Sequence, residues 1–345
     1  MTHRTDLIWW ILVIRGDVAA QCLARDALEL VTVADSAPPG LCALGSSAVR
    51  HGYRLTILGA NRSAYHDLLE SKPRMLLNFL RRDASLNNVV AFVDGFDVLA
   101  QRGPGAALAG WAHVGSPDIL FGSESYCFPF RRGRTPSLYC RRTVQTLRVG
   151  DKLVCLGKAR RLYAELGVDV VRHCVKLAGT APEESIFLPK PGERIIFPFL
   201  NSGLYLGRRG PLVKLLEAYL ETYAQSPALA GLTDQAVFHE LAATNPALAT
   251  DREGHVFLNA CCPRGALRRG LAAWNASAEA YDLPAARAAP AFLHWNGNVG
   301  EEDPTRTMLM SAHARVRAPR ACPGVVRVLG AQGVAEDYHR HCDLA

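Results

Sequence analysis

No apolar run in the chain approaches the roughly 20 residues of a membrane-spanning helix. The best candidate, Leu7 to Ile14, is eight residues long. No small-residue cleavage site closes it, so it reads as a first buried strand rather than a signal core. The ten cysteines contain no Cys-x-x-Cys pair, and only Cys261 and Cys262 are adjacent. That argues against a structural zinc site and supplies no disulfide framework, so reduced, mostly buried thiols are expected. No Gly-x-Gly-x-x-Gly follows the first strand, which removes a nicotinamide dehydrogenase. No internal repeat is visible. Aromatic residues are scarce where positive charge is densest: from Arg131 to Arg161 there are ten Lys or Arg, one acid (Asp151) and Tyr139 as the sole aromatic. A stacking platform for single-stranded nucleic acid needs more rings than that. The block fits an anionic partner or a solvated face.

What is present is a core-forming composition, 49% apolar and 21% charged, with a net charge of +7. At 345 residues there is material for one large α/β domain or two smaller ones. Asn61-Arg62-Ser63 and Asn275-Ala276-Ser277 are formal glycosylation sequons, relevant only in a secretory compartment. The compartment is left open, cytoplasmic by default.

The most informative stretch is Asn87 to Leu99. Val89 to Val93 is a continuous β-rich apolar run, the pattern of a strand covered on both faces. It ends in Asp94-Gly95-Phe96-Asp97. Carboxylates are costly to bury, so both acids belong past the strand's carboxyl end, at the rim where open α/β sheets bind ligands. Two acids three residues apart around a glycine can converge on one cation of the Mg²⁺ or Mn²⁺ type, which commonly bridges a protein to a diphosphate. Two solvated turn acids would spell the same pattern.

Around this stretch the chain alternates. Val18 to Leu30 is a helix or extended connection, Ala37-Pro38-Pro39-Gly40 a break, Leu41 to His51 a helix and Tyr53 to Leu58 a strand. Ser71-Lys72-Pro73 places Pro in the first turn of a helix running to Arg82. After the acids come a helix over Ala106 to Ala112 and a strand over Asp118 to Gly122 that delivers Glu124. From Phe130 to Arg194 the chain is basic and irregular, with a helix possible over Leu153 to Leu166 and a strand over Val168 to Val175. Order resumes at Phe199 to Gly207, followed by helices over Pro211 to Ala224 and from Thr233-Asp234-Gln235 to Leu241. Short strands at Val256 to Asn259 and Ala291 to Leu293 precede His294, and the tail from about Gly300 shows no strand signal. This βαβ alternation predicts a mostly parallel sheet.

Five segments in order resemble one family. They are Phe92-Val93-Asp94-Gly95-Phe96-Asp97-Val98 with Arg102-Gly103-Pro104, Ser123-Glu124-Ser125-Tyr126-Cys127-Phe128-Pro129, Phe199-Leu200-Asn201-Ser202-Gly203-Leu204, Asp234-Gln235, and His294-Trp295-Asn296-Gly297. The chain is similar, over roughly Arg54 to Asn298, to the procollagen galactosyltransferases and the glycosyltransferase domains of collagen lysyl hydroxylases. The resemblance implies a GT-A fold: α/β, Rossmann-like, a mostly parallel sheet flanked by helices, here with a basic insertion. The nucleotide-binding half is expected over about 1–130, the insertion over about 131–195, the acceptor half over about 196–300 and a C-terminal tail over 301–345. It also implies Mn²⁺, a UDP-sugar donor (UDP-galactose or UDP-glucose) and hydroxylysine, or galactosyl-hydroxylysine, of collagen-like polypeptides as acceptor. Carried over by residue, Asp94, Asp97 and His294 match metal ligands and Asn296 a residue beside the diphosphate. Glu124, Asn201, Asp234 and Gln235 match the sugar and acceptor side. Phe96 stands where the family often has Tyr near the uracil or ribose, and Trp295 replaces a glycine beside the metal. Lys72 is a candidate to face the phosphates. Asp234 and Glu124 are both candidates for the catalytic base, and the sequence does not separate them. The competing class is an inactive relative that binds collagen-like or polyanionic partners through its basic insertion.

Overall fold

A computed structural model describes residues 28–34, 39–60, 68–82, 89–129, 137–153, 158–174, 193–226, 232–259, 273–275, 277, 280–283, 287–295, 326–330, 335–336 and 342. The first half alternates strongly: β1 (Glu29–Val33), α1 (Pro39–Arg50), β2 (Arg54–Ala60), α2 (Leu68–Arg82) and β3 (Val89–Val93). Next come β4 (Val98–Ala100), α3 (Pro104–His113) and β5 (Ile119–Glu124). The basic region supplies α4 (Leu138–Gln145), β6 (Asp151–Leu153), α5 (Lys158–Glu165), α6 (Val170–His173) and β7 (Arg194–Ile196). The second half holds β8 (Phe199–Arg208), α7 (Arg209–Gln225), α8 (Asp234–Thr244), β9 (Leu248–Thr250) and β10 (Phe257–Asn259). It ends with β11 (Ala273–Asn275), β12 (Ala280–Asp282), β13 (Phe292–His294), β14 (Val326–Gly330) and β15 (Ala335–Glu336).

The main sheet runs β15-β14-β2-β1-β3-β8-β5-β9. β14, β2, β1 and β3 are parallel, and β9 is parallel to β5. β8 is reversed between β3 and β5. The result is an α/β, GT-A-like architecture, a mostly parallel sheet flanked by helices. The continuous apolar spelling of β3 follows from this placement, because alternate side chains enter different cores. Val90 and Phe92 pack with Leu76 and Leu80 of α2 and Leu216 and Tyr219 of α7. Ala91 and Val93 face the other way, with Leu44 and Ala48 of α1 and Trp111 of α3. A second sheet, β10-β13-β4, closes over that second face through Phe257 and Phe292.

Several local expectations change. Leu7 to Ile14 lies outside the described residues, as do Asn61, Arg62 and Ser63 of the first sequon. The helix or extended connection expected over Val18–Leu30 ends in β1, a central strand. Its buried Glu29 would be prohibitive in a sheet core but accepts from Thr56 Oγ1 at 2.6 Å and pairs with Arg327 at 2.9 Å and with Arg54. The same pairing explains β14, a strand in a tail that carried no strand signal: Arg327 interrupts its apolar run, yet its charge is answered inside the sheet. α2 begins at Leu68, so Pro73 lies inside the helix and not in its first turn. The strand expected over Val168–Val175 is the short helix α6, capped by Asp169, whose side chain accepts from the backbone of Val171 and Arg172. The helix expected over Leu153–Leu166 is shorter, with Leu153 itself in β6. The expectation of reduced thiols is also corrected. Cys42 is bonded to Cys342 and Cys127 to Cys140, pairs separated by 300 and 13 residues, so spacing alone gave no clue to them.

Candidate active site

The acidic turn sits at the carboxyl rim of the main sheet. Asp94 follows β3 directly, and its N–H donates to the Gly203 carbonyl of β8 at 2.8 Å. The chain then bends through Gly95, Phe96 and Asp97 into β4. A Cβ at Gly40, in the first turn of α1, would lie 1.9 Å from the Phe96 carbonyl oxygen, so only glycine lets the helix seat against this turn. β4 pairs antiparallel with β13, His294 opposite Val98, and the Trp295 N–H donates to the Asp97 carbonyl at 2.9 Å. A ladder of backbone bonds therefore carries His294, distant in sequence, to the side of Asp97.

His294 Nε2 lies 3.3 Å from Asp97 Oδ1 and 3.9 Å from Asp94 Oδ2. One ligand atom from each of the three residues falls within 4.8 Å of the others. Two ligand atoms each about 2.1 Å from one octahedral ion stand roughly 3–4 Å apart, so the spacing suits a small divalent cation. The hydrogen bonding agrees. His294 is 1% exposed. Neither of its ring nitrogens has a hydrogen-bond partner, and neither does the buried Asp97 Oδ1. Buried polar atoms are rarely left so, and an ion between them answers the deficit. Burial, the largest influence on the His294 pKa, pulls it down, but the negative charges of Asp97 and Asp94 beside the ring outweigh it and raise it above the ordinary histidine value. These residues fit a metal.

Lys72, on α2, closes the other side. Its Nζ is 2.6 Å from Asp94 Oδ1 and 2.9 Å from Asp234 Oδ2, and 5.1 Å from the centre of the Phe92 ring. Burial favours loss of its proton, yet Asp234 and Asp94 together hold its pKa well above the usual lysine value, so Lys72 is a fixed cation. Asp94 thus splits its oxygens, Oδ1 to Lys72 and Oδ2 toward His294. Asp234 is also committed at both oxygens, because Ser202 Oγ donates to Oδ1 at 2.8 Å.

Glu124, buried at the end of β5, forms a neighbouring group. Gln235 Nε2 donates to its Oε1 at 2.5 Å and to the Phe128 carbonyl at 2.8 Å. Asn201 Nδ2 lies 3.5 Å from Glu124 Oε2 and 3.4 Å from Gln235 Oε1. A register break in the β5–β8 pairing sets this up: Phe121 opposes Tyr205, but Gly122 opposes Asn201. Ser202, Gly203 and Leu204 are left without counterparts on β5, a bulge that re-aims side chains at a rim. Three consecutive residues then serve three places: Asn201 the Glu124 group, Ser202 the Asp234 carboxylate, and Gly203 the metal-type cluster. A Cβ on Gly203 would lie 2.4 Å from Asp94 Oδ2 and 2.7 Å from His294 Cε1.

The fold brings Asp94, Asp97, His294, Lys72 and Asp234 into one network, with Glu124, Asn201 and Gln235 joined to it through Ser202, whose N–H is 3.3 Å from Gln235 Oε1. Phe96 stands in the acidic turn, 38% exposed. Asn296 lies outside the described residues. Trp295 is buried, and its indole N–H has no hydrogen-bond partner. Ser202 escaped the sequence reading as a functional residue. So did Asn259, which ends β10 opposite His294 and donates from Nδ2 to the Ser123 carbonyl at 2.8 Å. A polar residue ending a buried apolar strand was the available signal for Asn259.

Residues 24–136 match the family model for the PLOD glycosyltransferase (GT) domain. The likeness covers this stretch, about a third of the chain, and is a similarity to that domain. What the likeness supports is a glycosyltransferase of this type. The PLOD-type segment contains Lys72, Asp94, Asp97 and Glu124, and the fold adds Asn201, Ser202, Asp234, Gln235 and His294 to the same rim from outside it. No curated protein matches the chain significantly. Among the described residues no helix is long and apolar enough to cross a membrane.

Proposed function

We propose that the chain is a metal-dependent glycosyltransferase that moves galactose or glucose from a UDP-sugar to hydroxylysine, or galactosyl-hydroxylysine, of collagen-like polypeptides. One observation carries this reading: Asp94, Asp97 and His294 converge at the sheet rim with unpartnered buried atoms, inside a fold whose first third matches a glycosyltransferase family. The mixed oxygen and imidazole donors favour Mn²⁺ over Ca²⁺. When bound, that ion supplies charge neutralisation for the departing UDP.

The chain's own residues do the rest. Lys72 fixes Asp94 through one oxygen and leaves the other directed at the ion site. Ser202 and Lys72 hold Asp234 from both sides, orienting it at the start of α8. Gln235 and Asn201 hold Glu124 on the acceptor side, where Glu124 and Asp234 remain the candidates to receive the acceptor's proton. Asn296 and Phe96 are assigned to the donor's diphosphate and uridine. The nucleotide half at about 1–130, the insertion at about 131–195, the acceptor half at about 196–300 and the tail at 301–345 are kept in this proposal, with Val326–Gly330 of the tail added to the nucleotide-side sheet.

The test is UDP release from UDP-galactose and UDP-glucose with and without Mn²⁺, in the presence of a hydroxylysine-containing collagen-like peptide. Mn²⁺-dependent release with sugar on the peptide is expected. Metal-independent release, or none with either donor, contradicts the reading.

A further inference from the structure

Away from the metal-type cluster, a cleft of about 330 Å³ opens between the end of α4, the β6–β7 pair and the turn after β9. Its volume lies at the low end of small-ligand sites. Three guanidinium groups line it, those of Arg148, Arg194 and Arg252, with the carboxylates of Asp151 and Glu253. Both carboxylates pair with one arginine, and the other oxygen of Glu253 faces His255 Nε2 at 3.9 Å. Arg194 NH2 is 3.0 Å from Asp151 Oδ1, and NH1 is 2.8 Å from Glu253 Oε1. The second oxygen of Asp151 takes the backbone N–H of Arg148 at 2.8 Å.

Arg252 is held differently. Its NH2 donates to Thr146 Oγ1 at 3.2 Å, and its Nε lies 3.4 Å from Thr250 Oγ1. Its carbonyl accepts from the Phe197 N–H at 2.7 Å. Hydroxyls orient a guanidinium without neutralising it. Among the described residues neither Arg252 nor Arg148 has a carboxylate partner. The cleft therefore carries positive charge in excess, one part of it pre-oriented, beside the apolar side chain of Ile196. A planar guanidinium fork matches a carboxylate, and an apolar wall suits the methylenes behind one.

The cleft is tied to the candidate active site through the backbone. Asp251, the residue before Arg252, donates its N–H to the Phe121 carbonyl at 2.8 Å. Its own carbonyl accepts from Ser123 Oγ at 2.5 Å, and Ser123 immediately precedes Glu124. Both sites hang on the same β5–β9 edge, on the side assigned to the acceptor.

We propose that this cleft is an anion-recognition subsite that receives an acidic side chain of the polypeptide acceptor. It rests on the acceptor reading above, and the two can fail separately. The experiment measures binding of two hydroxylysine-containing collagen-like peptides, one with a glutamate near the hydroxylysine and one with glutamine there. They are titrated into wild type and the Arg148→Gln/Arg252→Gln double variant, with inorganic sulfate as competitor. Wild type is expected to bind the glutamate peptide about fivefold to tenfold more tightly, from charge-assisted hydrogen bonds at a part-exposed site. The preference should vanish in the double variant and shrink with salt, while acceptor-independent UDP release stays unchanged. Equal affinity of wild type for both peptides, or a preference that survives in the double variant, overturns the subsite. So does sulfate binding without a glutamate preference, which assigns the cleft to a free oxyanion. Sugar transfer to both peptides without preference removes the subsite alone; glutamate-selective binding without transfer removes the acceptor reading alone.

Discussion

At the scale of single residues, Gly203 carries the tightest steric demand of the site. A methyl group there overlaps Asp94 Oδ2 at 2.4 Å and His294 Cε1 at 2.7 Å. Asp94 is part-exposed and can turn away, so Gly203→Ala should fold but misplace the carboxylate. Misplacement of about 1 Å costs on the order of 100-fold in rate. We predict that loss in UDP release with little change in Tm; wild-type turnover in the variant contradicts the geometry. Asp97→Asn tests the unpartnered oxygen. Removing the charge of a part-buried carboxylate whose Oδ1 no donor satisfies should leave stability equal or higher while metal-dependent UDP release is lost. A thermal melt beside the activity assay checks both halves, and a large drop in Tm would mean that Asp97 is structural. The acids were legible in the sequence because two aspartates ending an apolar strand have few inexpensive places to go. Lys72 was legible only as a nearby cation. That it links Asp94 to Asp234, 140 positions further on, is set by the packing of α2 against the sheet rim.

At the scale of elements, the ladder β10-β13-β4 and the bulge in β8 build the site, and the sequence showed them unequally. β3 and β5 announced themselves as apolar runs ending in acids. The bulge did not, since Asn201-Ser202-Gly203 equally spells a plain turn. β1 and β14 were hidden for a common reason. Each carries a charged residue, Glu29 or Arg327, whose partner lies some 300 residues away, and periodicity sees one strand at a time. The pair is testable. Arg327→Met should destabilise by about 1–3 kcal/mol, because Glu29 stays buried with less compensation. Adding Glu29→Gln should recover part of that loss, a coupling expected of groups in contact. Chemical denaturation of the two single variants and the double measures it, and strictly additive losses argue against a shared network.

At the scale of the whole molecule, the main sheet joins chain segments from both ends, and its acid response exposes one buried group. His239 is packed against Tyr139 with ring centres 4.4 Å apart, and its Nε2 is 3.2 Å from the Leu200 carbonyl. Burial pushes its pKa down to about 4, and the hydrogen bond to Leu200 only partly opposes this. The unfolded chain therefore binds this proton first as pH falls. The His239 contribution is complete above about pH 6.5 and is lost progressively toward pH 4, on the order of 3 kcal/mol in all. Urea denaturation between those values should show a steeper loss for wild type than for His239→Gln; parallel curves would contradict a neutral buried imidazole. The α/β alternation was legible across this molecule because it repeats locally, whereas the arrival of His294 beside Asp97 depends on strands nearly 200 residues apart. That arrival is tested most directly by Mn²⁺ binding in the presence of UDP, measured by calorimetry for wild type, Asp94→Asn, Asp97→Asn and His294→Ala. Wild type should bind a single ion, and each substitution should weaken it by at least about 100-fold, a larger loss than that of an outer-shell partner. Undiminished Mn²⁺ affinity in His294→Ala would contradict the site.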